Sequence, residues 1–281
     1  MKQRLLVITG PTACGKSALA LELAKQLDGE IVCVDSLTVY RGFDIGSAKP
    51  TIEQRSAVPH HLLDICDPLQ PFTAADFRQA ATTAIDDITR RGKRPILAGG
   101  TGLYLRTLLR GLTDAPGEDP LLRQTLRQRA EQEGPAALLA ELRGVDPATA
   151  DRLHPNNLPR IIRALEVFRV TGIPLSQLQA AHGFSDRPFE ALQFCLERPR
   201  EQLYRAIEQR VDAMLTEGLV AEVQQLLEAG VPADCKPMQA IGYKEVTAHL
   251  CNGLDLEQMA ALIAQNTRRF AKRQLTWFRA E

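Results

Sequence analysis

The stretch Gly10, Pro11, Thr12, Ala13, Cys14, Gly15, Lys16, Ser17 constrains this chain more than any other. An apolar run over residues 5–8 precedes it, and a helical pattern over 18–27 follows. The spacing G-x-x-x-x-G-K-S between a strand and a helix is a phosphate-binding loop in its expected context. Gly10 and Gly15 let the backbone turn tightly and approach a ligand closely. The loop amides then point inward, and the helix adds its positive end. Lys16 offers an ammonium, and Ser17 a hydroxyl that can reach a magnesium ion. All eight residues are expected to bind a phosphate or diphosphate.

Residues 1–111 alternate strand and helix. Strands are expected at 5–9, 30–34, 61–65 and 95–98, and helices at 16–27, 73–91 and 103–110. Thr73 caps the long helix, with Asp76 three residues on as a near capping box. This rhythm implies an α/β fold, a P-loop NTPase-like parallel sheet flanked by helices. In such sheets ligands lie at the carboxyl ends of the strands, where the 10–17 loop, Asp35 and the Gly99–Thr101 turn all fall. A turn-rich linker at 113–120 opens a helical stretch. Residues 115–187 read as an all-helical insertion, with 1–114 and 188–281 forming the core and its C-terminal helices. Within that core a returning strand is expected at 189–196, and helices at 201–217, 220–228, 239–250 and 256–278.

The formal net charge is zero, 34 basic against 34 acidic residues, which argues against a globally electrostatic nucleic-acid binder. Six scattered cysteines without a C-x-x-C pair argue against zinc and against a disulfide framework. No apolar run approaches the roughly 18 residues of a membrane span, and none near the start suits a signal peptide. A cytoplasmic protein with reduced thiols and no membrane partner is expected.

Asp35 ends the second strand and suits either a magnesium ligand or a general base. The strand at 95–98 ends in Gly-Gly-Thr where an ATPase usually has a magnesium-binding Asp, which weakens an ATP-hydrolysing reading. Thr101, among glycines at a helix start, is either a cap or a ligand contact. Spacing alone does not single out Arg210 from Arg205. Arg268, Arg269, Lys272, Arg273 and Arg279 cluster with no acid among them, beside Trp277 and Phe278. The basic residues suit a nucleic-acid backbone, and the two aromatics read as core. Arg160 and Arg163 lie opposite an apolar stripe as a smaller exposed basic spot. His60 and His61 point to opposite sides of a strand, which disfavours a shared metal.

Together the stretches GPTACGKS (10–17), VDSLTVYRGFDIGSAKP (34–50), PHHLLDI (59–65), FTAADF (72–77), GGTGLY (99–104), RALEV (163–167), QAIGYKE (239–245) and RRFAKRQLTWF (268–278) resemble the tRNA dimethylallyltransferase family. The resemblance runs nearly end to end. It implies transfer of a dimethylallyl group from dimethylallyl diphosphate to the exocyclic amine of the adenine just 3′ of the anticodon. The loop would then hold a diphosphate leaving group with Mg2+, and the helical insertion would grip the tRNA anticodon stem-loop. The protein is expected to act as a monomer.

Carried over residue by residue, the resemblance makes Asp35 the general base. Thr101 becomes a contact near the reacting centre, and Lys16 and Arg210 the cations that stabilise the departing diphosphate. Ser17 would help hold the metal. Contacts to tRNA would fall on Asp35, Ser36, Leu37, Thr38, Thr101 and Arg123, and on Pro159, Arg160, Ile161, Ile162 and Arg163. Ala240, Ile241, Gly242, Tyr243, Lys244 and Glu245 would add to them, with Arg273, Gln274, Trp277 and Arg279. The chain departs from the family pattern at Cys14, at Thr38 (often Gln) and at Pro159 (often Gln). The competing reading is a small-molecule kinase that uses ATP, with Asp35 as its base.

Overall fold

The computed structural model describes residues 2–281. The chain divides into two compact units, Met1–Leu109 with Arg187–Glu281, and Arg110–Asp186.

The first unit is built on a five-stranded sheet. Its strands are β1 (Gln3–Thr9), β2 (Gly29–Val34), β3 (His60–His61), β4 (Arg94–Gly99) and β5 (Phe189–Cys195), in the order β3-β2-β4-β1-β5. Every neighbouring pair is parallel. Leu6 pairs with Ile96, Val34 with Gly99 and Thr9 with Cys195, so three loops leave the sheet along one edge. Alternation along β1 sends Val7 into one core and Ile8 into another. Val7 meets Phe77, Ile85 and Ile88 of helix α3 (Ala74–Arg90). Ile8 meets Ala20 and Ala24 of α1 (Lys16–Gln26). Full burial of such a side chain contributes about 1.5–3 kcal/mol, and this places the sheet between helical layers.

Local signals set the α3 boundary. Thr73 Oγ1 accepts the Asp76 N–H at 3.2 Å and Asp76 Oδ2 accepts the Thr73 N–H at 2.8 Å, a reciprocal cap. Two expected elements change. The strand expected at 61–65 is a two-residue pairing at His60–His61, because Leu62 and Asp64 take positive φ and break the extended run. The helix expected at 239–250 begins only at Tyr243, since Gly242 has φ 96°. A 3-10 turn, Pro237–Gln239, precedes it.

Two short helices, α2 (Ile52–Ala57) and α4 (Gly102–Arg110), follow the second and fourth strand ends. The second unit carries α5 (Pro120–Glu133), α6 (Pro135–Val145), α7 (Pro147–Ala150), α8 (Leu158–Thr171) and α9 (Leu175–His182) around Leu126, Leu138, Leu142, Ile161 and Leu165. Helices α10 (Arg200–Thr216), α11 (Leu219–Glu228), α12 (Tyr243–Asn252) and α13 (Leu256–Ala280) complete the first unit. Leu203 and Ile207 of α10 and Ala271 of α13 bury Cys14. That thiol fills the back of the phosphate loop as a small apolar group.

Candidate active site

The site lies where β1, β2 and β4 end. Thr12, Lys16 and Ser17 line it with Asp35, Thr38, His60, Gly100, Arg210, Phe270 and Gln274. Gly10 opens the loop at φ 139°, and a Cβ there would stand 2.5 Å from the Leu196 carbonyl oxygen. Only glycine lets the loop leave β1 so close to the strand beside it. Helix α1 starts at Lys16, whose ammonium donates to the Pro11 carbonyl at 2.6 Å.

Asp35 is fixed by its own turn. Its Oδ1 accepts the N–H groups of Leu37 at 2.8 Å and Thr38 at 3.3 Å. No hydrogen bond within the described chain occupies Oδ2. Asp35 is the single acid among the lining residues. The Thr38 hydroxyl is buried and has no partner, and an unsatisfied buried hydroxyl costs about 1–3 kcal/mol.

The opposite wall is a loop anchored from a distance. Glu222 of α11 accepts the N–H groups of Asp44 (3.0 Å), Ile45 (2.7 Å) and Gly46 (3.2 Å), and the Tyr243 hydroxyl at 2.6 Å. A Cβ on Gly46 would fall 2.4 Å from the Tyr243 ring, so glycine lets the loop lie against the aromatic. Ser47, Ala48 and Pro50, which follow, line the pocket.

Lys16 and Arg210 carry the site's positive charge. Burial lowers the Lys16 pKa; the Arg210 charge adds to this, while Cys14 and Asp35 oppose it. Burial also lowers the Arg210 pKa, opposed by Asp35. Among the described residues neither cation forms an ion pair with a carboxylate. Two desolvated, unpaired cations in one pocket are costly unless an anion joins them.

A sequence model of the IPP transferase family matches residues 38–281. The chain belongs to the IPP transferase family. It is 71% identical over its whole length to tRNA dimethylallyltransferase 1 of Trichlorobacter lovleyi, covering 92% of that protein. Identity to the tRNA dimethylallyltransferase of Geobacter metallireducens is 56%, covering 100% of this chain and 91% of the relative. Among solved structures, the full-length tRNA isopentenylpyrophosphate transferase of Bacillus halodurans superposes with TM-score 0.73 at 42% identity, over 100% of this chain and 88% of that one. A eukaryotic dimethylallyltransferase acting on tRNA superposes with TM-score 0.82 at 31% identity, over 98% of this chain and 69% of that one.

This IPP transferase brings Lys16, Ser17, Asp35, Thr38 and Arg210 into one pocket, and Thr101 stands one residue beyond the lining Gly100. The Thr101 carbonyl accepts the N–H groups of Tyr104 (3.0 Å) and Leu105 (3.3 Å), and the Thr101 N–H donates to the Val34 carbonyl at 3.3 Å. His60 lines the pocket and bonds the Val58 carbonyl, while His61 bonds Glu30.

Several residues expected at a tRNA surface are engaged elsewhere. Arg123 donates from Nε and Nη2 to the two oxygens of buried Glu166, both at 2.8 Å. Arg163 bonds the same carboxylate at 2.5 Å and the Pro116 carbonyl at 2.7 Å, so it is tied down rather than an exposed basic spot. Burial works against the Glu166 charge, and these arginines outweigh it, holding its pKa low. Ile161 and Ile162 are buried in the helical core. Tyr243 is buried against the 44–46 loop, and Glu245 caps α12 by accepting the Gly242 N–H at 2.7 Å. Gln274 is buried, with both ends of its amide bonded to loops.

Ser36, Pro159, Arg160, Lys244, Arg273 and Arg279 are exposed, while Leu37, Ala240 and Ile241 are half-buried. The C-terminal basic cluster is less positive than its sequence: Glu208 pairs with Arg268 at 3.0 Å and Glu197 with Arg279 at 3.2 Å. Trp277 is half-buried beneath the Arg106 guanidinium, 4.5 Å from its ring centre. Phe278 packs on the main core. One exposed cation escaped the sequence reading: Arg198 lies on the phosphate loop, 3.5 Å from the Ala13 carbonyl oxygen. Nothing in its local sequence distinguishes it from other surface arginines.

Proposed function

We propose that this chain transfers the dimethylallyl group of dimethylallyl diphosphate to the exocyclic amine of the adenosine 3′ to a tRNA anticodon. The observation that carries the reading is the pocket's charge pattern. Two half-buried cations without a carboxylate partner and the phosphate loop stand ready for an anionic leaving group, and one free carboxylate oxygen stands ready for a proton. The names of the relatives and neighbours favour this reaction over a kinase.

The amide loop, Lys16 and Arg210 bind the diphosphate, and stabilise it further as negative charge gathers on its bridging oxygen. The adenine amine is a weak nucleophile because its lone pair is delocalised into the ring. As its nitrogen bonds the allylic carbon, the carbon–oxygen bond to diphosphate breaks. Asp35 Oδ2 takes the amine proton, while Oδ1 stays held by the Leu37 and Thr38 amides. The base must leave its stack to reach this pocket.

The residues would fit a magnesium ion held with the donor's phosphates: the Ser17 hydroxyl would supply a hard oxygen donor, and the described residues hold no cluster of three acids, histidines or cysteines able to bind a metal by themselves. When bound, the ion neutralises phosphate charge. Ser36, Leu37, Thr38, Thr101, Pro159, Arg160, Ala240, Ile241, Lys244, Arg273 and Arg279 are the remaining tRNA-contact proposals, with the enzyme acting as a cytoplasmic monomer.

The test is incubation of the purified protein with unmodified tRNA and dimethylallyl diphosphate, followed by mass spectrometry of the nucleosides. One adenosine per tRNA should gain the mass of a dimethylallyl group without ATP. Consumption of ATP with no change in the tRNA would favour the kinase.

A further inference from the structure

We propose that Gln274 is a positioning residue for prenyl transfer, an inference that rests on the reaction assigned above. Its side-chain amide ties the phosphate loop to the loop that carries Thr101. Sequence resemblance places Gln274 at the tRNA, but the structure gives its amide another task. Its Oε1 accepts the Thr12 N–H at 2.8 Å, and its Nε2 donates to the Gly100 carbonyl at 2.9 Å. The residue is 7% exposed, on a helix anchored through buried Ile263 and Ala271.

The two loops leave the adjacent strands β1 and β4. One holds the leaving group; the other carries Thr101 beside the acceptor. The pairing of β1 with β4 ends at Ala98, so it does not tie these two loops to each other. Gln274 spans them with one planar group, whose amide oxygen accepts from one loop and whose amide nitrogen donates to the other. The bond also occupies the Thr12 N–H, leaving the cradle to the amides that follow. The fit is close: a Cβ on Gly100 would stand 2.2 Å from Gln274 Nε2.

The test compares full-length wild type with Gln274→Met, which keeps the length and removes both bonds, and with Gln274→Glu, which keeps only the acceptor. Steady-state kinetics with tRNA and dimethylallyl diphosphate are combined with amide hydrogen exchange at Thr12. Gln274→Met should lower kcat about tenfold or more with the tRNA KM within about twofold, because a small misplacement of reacting groups costs rate rather than binding. Its Thr12 amide should exchange faster. Gln274→Glu should retain protection at Thr12 and still lose kcat, since its carboxylate repels the Gly100 carbonyl.

A raised tRNA KM with unchanged kcat would return Gln274 to the tRNA surface and overturn the proposal. Unchanged Thr12 exchange in Gln274→Met would also overturn it. Gly100→Ala attacks the tie from the other loop and decides the matter if the Met variant does not fold: kcat should fall, and an unchanged kcat counts against the proposal. Should wild type modify no tRNA, the reaction assignment fails, while Thr12 exchange still tests the tie.

Discussion

Replacing Lys16 by Met should stabilise the free protein and abolish most diphosphate binding. The Lys16 ammonium is desolvated, faces the Arg210 charge, and donates to the Pro11 carbonyl rather than to a carboxylate. Removing such a charge while keeping the side chain's length relieves about 1–3 kcal/mol. That corresponds to a rise of roughly 2–8 °C in melting temperature for a chain of this size. The same ammonium is worth about 1.5–3 kcal/mol to a bound phosphate, or about 10- to 150-fold in affinity. Thermal melts with and without pyrophosphate read both effects.

Because burial lowers the folded-state pKa of Lys16, the unfolded chain binds more protons at alkaline pH, and stability rises with pH through that window. The advantage of Lys16→Met is therefore full below the folded pKa and shrinks as pH climbs toward the ordinary lysine value. A variant that melts below wild type without ligand, or one that pyrophosphate stabilises as strongly as wild type, would refute the reasoning.

Asp35→Asn keeps the acceptor for the Leu37 and Thr38 amides and removes the proposed base. Single-turnover rates should fall about 10²–10⁴-fold with tRNA binding retained. Glu30 is held at a pKa of about 2 by its bonds from Arg91 and His61. Glu30→Gln should destabilise the protein at neutral pH by at most about 3 kcal/mol, discounted because Arg91 is partly exposed. The depressed pKa makes that difference vanish as pH falls from the ordinary glutamate range toward 2, as denaturant titrations at several pH values would report. Glu166→Gln leaves Arg123 and Arg163 without their shared anion. Urea unfolding should show a loss of about 3–5 kcal/mol.

What could be read from the sequence is what local chemistry and strand order determine. The phosphate loop declares itself within eight residues, and Thr73 with Asp76 announces a helix start. Asp35 and Gly100 could be placed at one edge because parallel strands put their carboxyl ends together. What the sequence did not reveal is mostly pairing between residues far apart along the chain. The bonds of Gln274 reach Thr12 and Gly100 across 262 and 174 residues, and Glu222 reaches the 44–46 loop across at least 176. Neither pairing leaves a periodic trace. The C-terminal basic run looked unopposed because Glu197 and Glu208 lie some sixty or more residues earlier in the chain. Arg163 looked like surface charge because the carboxylate it shares with Arg123, Glu166, sits on the helix's buried face.

The most direct test of the assigned chemistry is stoichiometry. Diphosphate release and adenosine modification are followed together, with tRNA and dimethylallyl diphosphate present and ATP absent. Wild type should release one diphosphate for each adenosine that gains a dimethylallyl group, and Asp35→Asn should lose both in parallel. Diphosphate release without modified adenosine, or modification that requires ATP, would contradict the assignment of this loop as a cradle for a prenyl diphosphate.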